Sequence, residues 1–160
     1  GTYEKNVNMA VTLKTAEYLR QMGAEVILTR SDDLFLGLYE RPEIANRAGA
    51  DIFVSIHQNS SETSSMHGTE VYYHPNKPES RPLAEAVLNA VVQGTGSVDR
   101  GVRQANFVVI RETYMPAILV EGNYLSNPSM EQNLRNPDFQ DRLAKSIAQG
   151  IMDYWGGLNR

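Results

Sequence analysis

No cysteine occurs in the sequence, so neither a disulfide framework nor a thiolate metal site is open to it, and any metal must be held by histidine and carboxylate. No apolar run approaches the ~20 residues that cross a bilayer, and the first residues form neither the basic nor the apolar region of a signal peptide. Basic charge is in short supply too: 15 Lys and Arg stand against 19 Asp and Glu, a net charge of −4. Nucleic acid is therefore not the expected partner, because phosphate binding needs a concentrated basic surface. Internal repeats, low-complexity tracts and interdomain linkers are missing as well.

What is there is an ordinary globular composition, 41% hydrophobic and 21% charged over 160 residues. That length suits a single domain burying about 70% of the surface its unfolded chain exposes. Met9, Leu13, Ala16, Leu19 and Met22, broadened by Val7, Ala10 and Val11, predict a helix from Glu4 with its stop at Gly23. Residues 25–29 read as a short buried strand, and 36–48 as a second helix with Pro42 in its first turn. Residues 69–74 fit a strand with one wetter face, 83–92 a third helix closed by Gly94 and Gly96, and 107–110 and 117–121 two further strands. Leu143, Ile147, Ile151 and Tyr154 mark a last amphipathic helix that Gly156 and Gly157 end. Helices alternate with strands, which predicts an α/β class.

Two of these strands end oddly. Ile52, Phe53, Val54 and Ile56 form a run buried on both faces that closes on His57, and 117–120 form another that closes on Glu121. Taken singly, His57 reads more simply as a residue that caps its strand, and Glu121 as a solvated strand end. If the strands run parallel in one sheet, the default for strands joined through helices, both side chains open at the carboxyl edge where α/β sheets bind ligands. Glu4 suits the first turn of a helix through the macrodipole alone. It is also a candidate metal ligand: His and carboxylate suit Zn²⁺, whose catalytic sites take three protein ligands and keep one open position, and an unliganded carboxylate such as Glu121 can then move protons. His67 and His74 read as surface residues, Arg100-Gly101 as a turn, Tyr72-Tyr73 as a sheet pair, and Arg111 as a solvated loop residue.

Seven strings then stand in order: Glu4-Lys5-Asn6, Leu28-Thr29-Arg30-Ser31-Asp32-Asp33, Ile44-Ala45-Asn46, Ser55-Ile56-His57-Gln58-Asn59, Gly68-Thr69-Glu70, Asp99-Arg100-Gly101-Val102, and Met115-Pro116-Ala117-Ile118-Leu119-Val120-Glu121. Together they resemble the zinc-dependent N-acetylmuramoyl-L-alanine amidases of bacterial cell-wall turnover, over nearly the whole chain. The resemblance implies a single α/β domain with a twisted, mostly parallel sheet flanked by helices on both faces. It implies hydrolysis of the amide between the lactyl group of N-acetylmuramic acid and the L-alanine of the stem peptide. Glu4 and His57 become zinc ligands, Glu121 the catalytic carboxylate, and Asn59 and Arg111 substrate-side residues. Peptidoglycan is the implied partner, the location is extracytoplasmic, and other wall-targeting domains are expected in the full-length protein. A third ligand in that family follows a first strand, in an Asp-x-Gly-His-Gly-Gly type loop. Residues 1–160 begin after the matching place, so the expected domain lacks that strand and histidine. With only a short loop between Tyr73 and Leu83, the implied cleft is open. A zinc peptidase cutting within the stem peptide and a non-catalytic wall-binding domain remain as alternatives.

Overall fold

In the computed structural model, which describes residues 4–29 and 37–158, the most apolar stretch of the chain becomes the centre of one sheet. That stretch is β4 (Ala117–Tyr124), buried almost throughout. On one side it pairs in parallel with β1 (Phe53–Asn59), and on the other antiparallel with β2 (Thr69–Tyr73), which pairs in parallel with β3 (Asp99–Gln104). The four-stranded order is β1-β4-β2-β3, so β1 and β3 are the edges. Pairing on both sides keeps every residue of β2 but Tyr72 buried, where the sequence predicts one wetter face.

Side-chain alternation sorts the core into two layers. Ile56, Val71, Tyr73, Ile118 and Val120 pack against α1 (Glu4–Gln21), α3 (Arg81–Thr95) and α6 (Pro137–Leu158). Phe53, Ala117 and Leu119 point the other way, toward α2 (Glu40–Ala48) and the single turn α4 (Val108–Arg111). Helices thus flank both faces, as expected. The second face is covered by Ala45, Val109 and Ile110 at the level of Phe53 and Ala117. Four positions further along β1 and β4, on the same face, stand His57 and Glu121.

Several elements differ from the sequence-based expectation. Residues 24–28 form no strand and pair with none, and Ile27 is 55% exposed. A short apolar segment becomes a strand only when a neighbour completes its ladder, and between it and β1 runs a groove of about 840 Å³. Met9 and Leu19 of α1 and Met22 just beyond it line that groove, while the helix sends Val7, Val11, Thr15 and Ala16 into the core and leaves Leu13 exposed. Residues 107–110 form not a strand but the turn α4, because Val109 and Ile110 bury themselves against Phe53, Met115 and Ala117 more fully than a ladder at the polar edge allows. β3 and the helix α5 (Pro128–Arg135), capped by the Asn127 side chain, carry too little apolar periodicity to stand out. Gly94 lies inside α3, where Ser146 of α6 occupies the space of a side chain, and α6 runs through Gly156 and Gly157. The second helix starts at Glu40; residue 36 lies outside the described residues, as do Arg30 to Asp33 of the second quoted string.

Candidate active site

β1 and β4 are parallel neighbours with His57 opposite Glu121, so the two odd strand endings stand side by side. Across the next ladder Glu121 faces Glu70 of β2. One row therefore crosses three strands: His57, Glu121, Glu70. Glu4, in the first turn of α1, reaches the outer end of this row, its Oε1 lying 3.2 Å from His57 Nδ1 and accepting from the backbone N–H of Gln58 at 3.3 Å. Asn8, one turn along the helix, donates to the same oxygen at 3.2 Å. The hydrogen bond to His57 chiefly, with those from Asn8 and Gln58, draws the Glu4 carboxyl below its ordinary pKa against the opposing pull of burial. The other ring nitrogen of His57 lies 3.0 Å from Ser55 Oγ, two residues back on the same face.

Glu121 is the opposite case. Burial, first, and the charges of Glu4 and Glu70 push its pKa up to about 7, with only His57 pulling it down. Its Oε2 is buried with no hydrogen-bond partner. A carboxyl of that pKa exchanges protons near neutrality, and an unpartnered buried oxygen beside a histidine and a second carboxylate is costly unless a ligand meets it.

Glu70 completes the row and is only 2% exposed. Burial raises its pKa, yet hydrogen bonds from Tyr124, Tyr72 and Arg100 and the nearby charge of Arg103 outweigh it, so the group lies below its ordinary value. Asn59 Nδ2, 3.5 Å from Glu70 Oε2, links the end of β1 to this cluster. Glu70 and Arg100 stand in the strings that carry the family resemblance and Tyr72 reads as half of a sheet pair, but the sequence assigns none of the three to the site; the available signal is alternation, which sets Glu70 and Tyr72 on one face of β2.

Arg111 lies in α4, its guanidinium engaged by Glu112, Asn106 Oδ1 and the Tyr39 hydroxyl, none of them in the row. His67 is exposed as expected, but His74 is buried, with Nε2 on Asn106 Oδ1 and Nδ1 accepting from the N–H of Asn76. A polar residue at a strand end reads as exposed until the loop that folds over it is known.

The donor set suits a zinc ion in kind. Glu4 Oε1 and His57 Nδ1, 3.2 Å apart, have a spacing that two ligands each ~2.0–2.2 Å from one Zn²⁺ allow. Among the described residues, however, no group of three or more His, Asp or Glu is gathered closely enough to hold a metal. Among the described residues Glu4 and His57 are thus two candidate donors, where a catalytic zinc takes three protein ligands.

Comparison with known proteins follows the same line. The family profile described as N-acetylmuramoyl-L-alanine amidase matches residues 1–153. The N-acetylmuramoyl-L-alanine amidase LytC of Bacillus subtilis is 36% identical over 157 residues, 97% of this chain and 32% of the relative. The probable cell wall amidase LytH of Staphylococcus aureus is 36% identical over 161 residues, 97% of this chain and 52% of the relative. The chain thus spans about a third and about half of these relatives' lengths. The solved catalytic domain of CwlV, an N-acetylmuramoyl-L-alanine amidase from Bacillus (Paenibacillus) polymyxa var. colistinus, superposes with a TM-score of 0.91 at 47% identity, covering 97% of this chain and 86% of that one.

Proposed function

This chain belongs to the N-acetylmuramoyl-L-alanine amidase family, and from that premise we propose that it hydrolyses the amide joining the lactyl group of N-acetylmuramic acid to L-alanine in peptidoglycan. The observation that carries the proposal is Glu121, a half-buried carboxyl with a pKa raised to about 7 and a buried, unpartnered Oε2, set beside His57 and Glu4. Glu4 and His57 would hold Zn²⁺, which when bound supplies Lewis acidity at the amide carbonyl and eases deprotonation of water.

The remaining work falls to this chain's own carboxylates. Glu121, ionised, takes a proton from the attacking water as its oxygen bonds to the carbonyl carbon, then gives that proton to the alanine nitrogen as the C–N bond breaks. Acid and amine leave, and Glu121 is ionised again. Its raised pKa suits both halves, since a group titrating near neutrality is both a usable base and a usable acid. Asn59, at the end of β1 beside Glu70, borders the cleft on the substrate side.

The groove beside β1 is the place for the further strand that the family resemblance implies, and with it the third ligand. β1 donates the Phe53 N–H toward β4, so by alternation the N–H groups of Val54 and Ile56 point into the groove. Protection of those two amides from hydrogen exchange in the full-length protein supports this filling, whereas exchange as fast as at an open edge contradicts it. The relatives' names place such proteins at the cell wall, so the proposed site of action is extracytoplasmic. No helix among the described residues is long and apolar enough to cross a membrane.

Mass spectrometry of the products from purified peptidoglycan tests the activity. Stem peptides with a free N-terminal alanine are the expected result. Peptides cut within the stem point to a peptidase, and binding without products at any added zinc points to a wall-binding domain.

A further inference from the structure

β3 holds one residue more than its partner: Thr69 pairs with Asp99, but Val71 pairs with Val102. Gly101 absorbs the extra residue with φ +91°, a conformation side chains resist. In a regular strand positions 100 and 103 point to opposite faces; the bulge brings both to the face of the His57–Glu121–Glu70 row. There Arg100 Nε donates to Glu70 Oε1 at 3.0 Å, and Arg103 Nε lies 3.9 Å from Oε2. β4 carries a matching irregularity, pairing His57 with Glu121 but Asn59 with Tyr124, and it turns the Tyr124 hydroxyl onto Glu70.

Two independent bulges thus converge on one buried carboxylate, which cannot occupy both guanidiniums. Glu70 brings one negative charge to two guanidiniums, and its oxygens are already filled by Tyr72, Tyr124, Arg100 and Asn59. Arg103 donates through Nε to the carbonyl of Arg100, and among the described residues its terminal nitrogens meet no acceptor. Its side chain is 46% exposed, on the open side of the sheet. A guanidinium with unspent terminal donors in a parallel fork is what a carboxylate binds. Strands ~4.8 Å apart put β3 roughly 10 Å from Glu121, and at ~3.3–3.6 Å per residue an extended peptide covers that span in two or three residues.

We infer that Arg103, with Arg100 fixed beside it by Glu70, binds a free carboxylate on the stem peptide two or three residues beyond the amide that is cut, making this a specificity site for unamidated stems. The inference rests on the amidase reading for the identity of the peptide, but not for the presence of a carboxylate site. Its test uses two synthetic N-acetylmuramoyl-L-alanyl-glutamyl amides that differ only in whether the second residue's main-chain carboxyl is free or a carboxamide. Binding is measured by calorimetry on the full-length Glu121→Gln protein, which needs no turnover, and cleavage on the wild type. The free carboxylate is expected to bind at least about tenfold more tightly and to be cut at correspondingly lower KM with similar kcat. Arg103→Gln should erase the preference, and Arg103→Lys should restore part of it. A wild-type preference under twofold, or one that survives in Arg103→Gln with melting behaviour unchanged, overturns the inference. A preference in binding with cleavage of neither compound leaves the carboxylate site standing and overturns the amidase reading instead.

Discussion

Glu70 and Glu121 face each other across the β2–β4 ladder, one carboxyl held below its ordinary pKa and the other raised to about 7. The difference is one of partners. Glu70 is wrapped by two tyrosine hydroxyls and a guanidinium, whereas Glu121 has a buried oxygen that meets nothing. Neighbouring carboxyls pushed apart in this way divide the labour, with one fixed as a charge and the other free to exchange protons.

Replacing Glu70 with Gln removes a like charge beside Glu121 and lowers the Glu121 pKa. The acid limb of kcat/KM against pH is expected to move to lower pH than in the wild type. The fold should also lose about 1.5–3 kcal/mol, the worth of charge-assisted hydrogen bonds given up by Arg100 and the tyrosines. A limb that stays in place or moves upward contradicts the coupling between the two groups.

Stability of the metal-free protein should carry the sign of the Glu121 shift. A carboxyl raised from 4.5 to about 7 binds more protons folded than unfolded between those values, so its contribution is complete below about pH 4.5 and is lost as pH rises through 7. Gln stays neutral throughout. Thermal melts should therefore show Glu121→Gln gaining on the wild type as pH rises from 4.5 to above 7, and a constant difference contradicts the raised value.

His57→Ala removes one of the two proposed zinc donors and should weaken zinc binding at least about tenfold, read as a fall in bound zinc per protein by elemental analysis. Full retention of zinc removes His57 from the ligand set.

Two glycines of α6 should respond with opposite signs. A Cβ on Gly150 would stand 2.6 Å from Val87 Cα and 2.9 Å from the Ala86 carbonyl, both backbone atoms of α3, so Gly150→Ala should cost about 1–3 kcal/mol. Gly156 meets nothing within 4 Å inside the same helix, so Gly156→Ala should add about 0.5–1 kcal/mol. Chemical denaturation of the two variants reads both.

The buried strands were legible because burial on both faces leaves an uninterrupted apolar run, and their polar endings at His57 and Glu121 were legible because they break that run. Glu4 was legible from its residue type as no more than a candidate ligand, since a first-turn Glu suits the helix dipole regardless, and the family resemblance is what favours that role. What the sequence hid was set by tertiary context. Val109 and Ile110 have strand propensity but pack better as one helical turn, and residues 25–29 have strand composition but no paired neighbour. Arg100-Gly101 reads as a turn, and Glu70 and Arg103 receive no role, because the bulges that gather them depend on register, which a single strand does not carry.

The most direct test of the central claim is the rate at which the full-length Glu121→Gln protein releases stem peptides from purified peptidoglycan, with zinc content measured on the same sample. Loss of the proton carrier predicts a fall of about 10²–10⁴-fold with zinc retained. A variant that keeps both its zinc and its full rate would show that Glu121 is not the carboxylate that moves the proton.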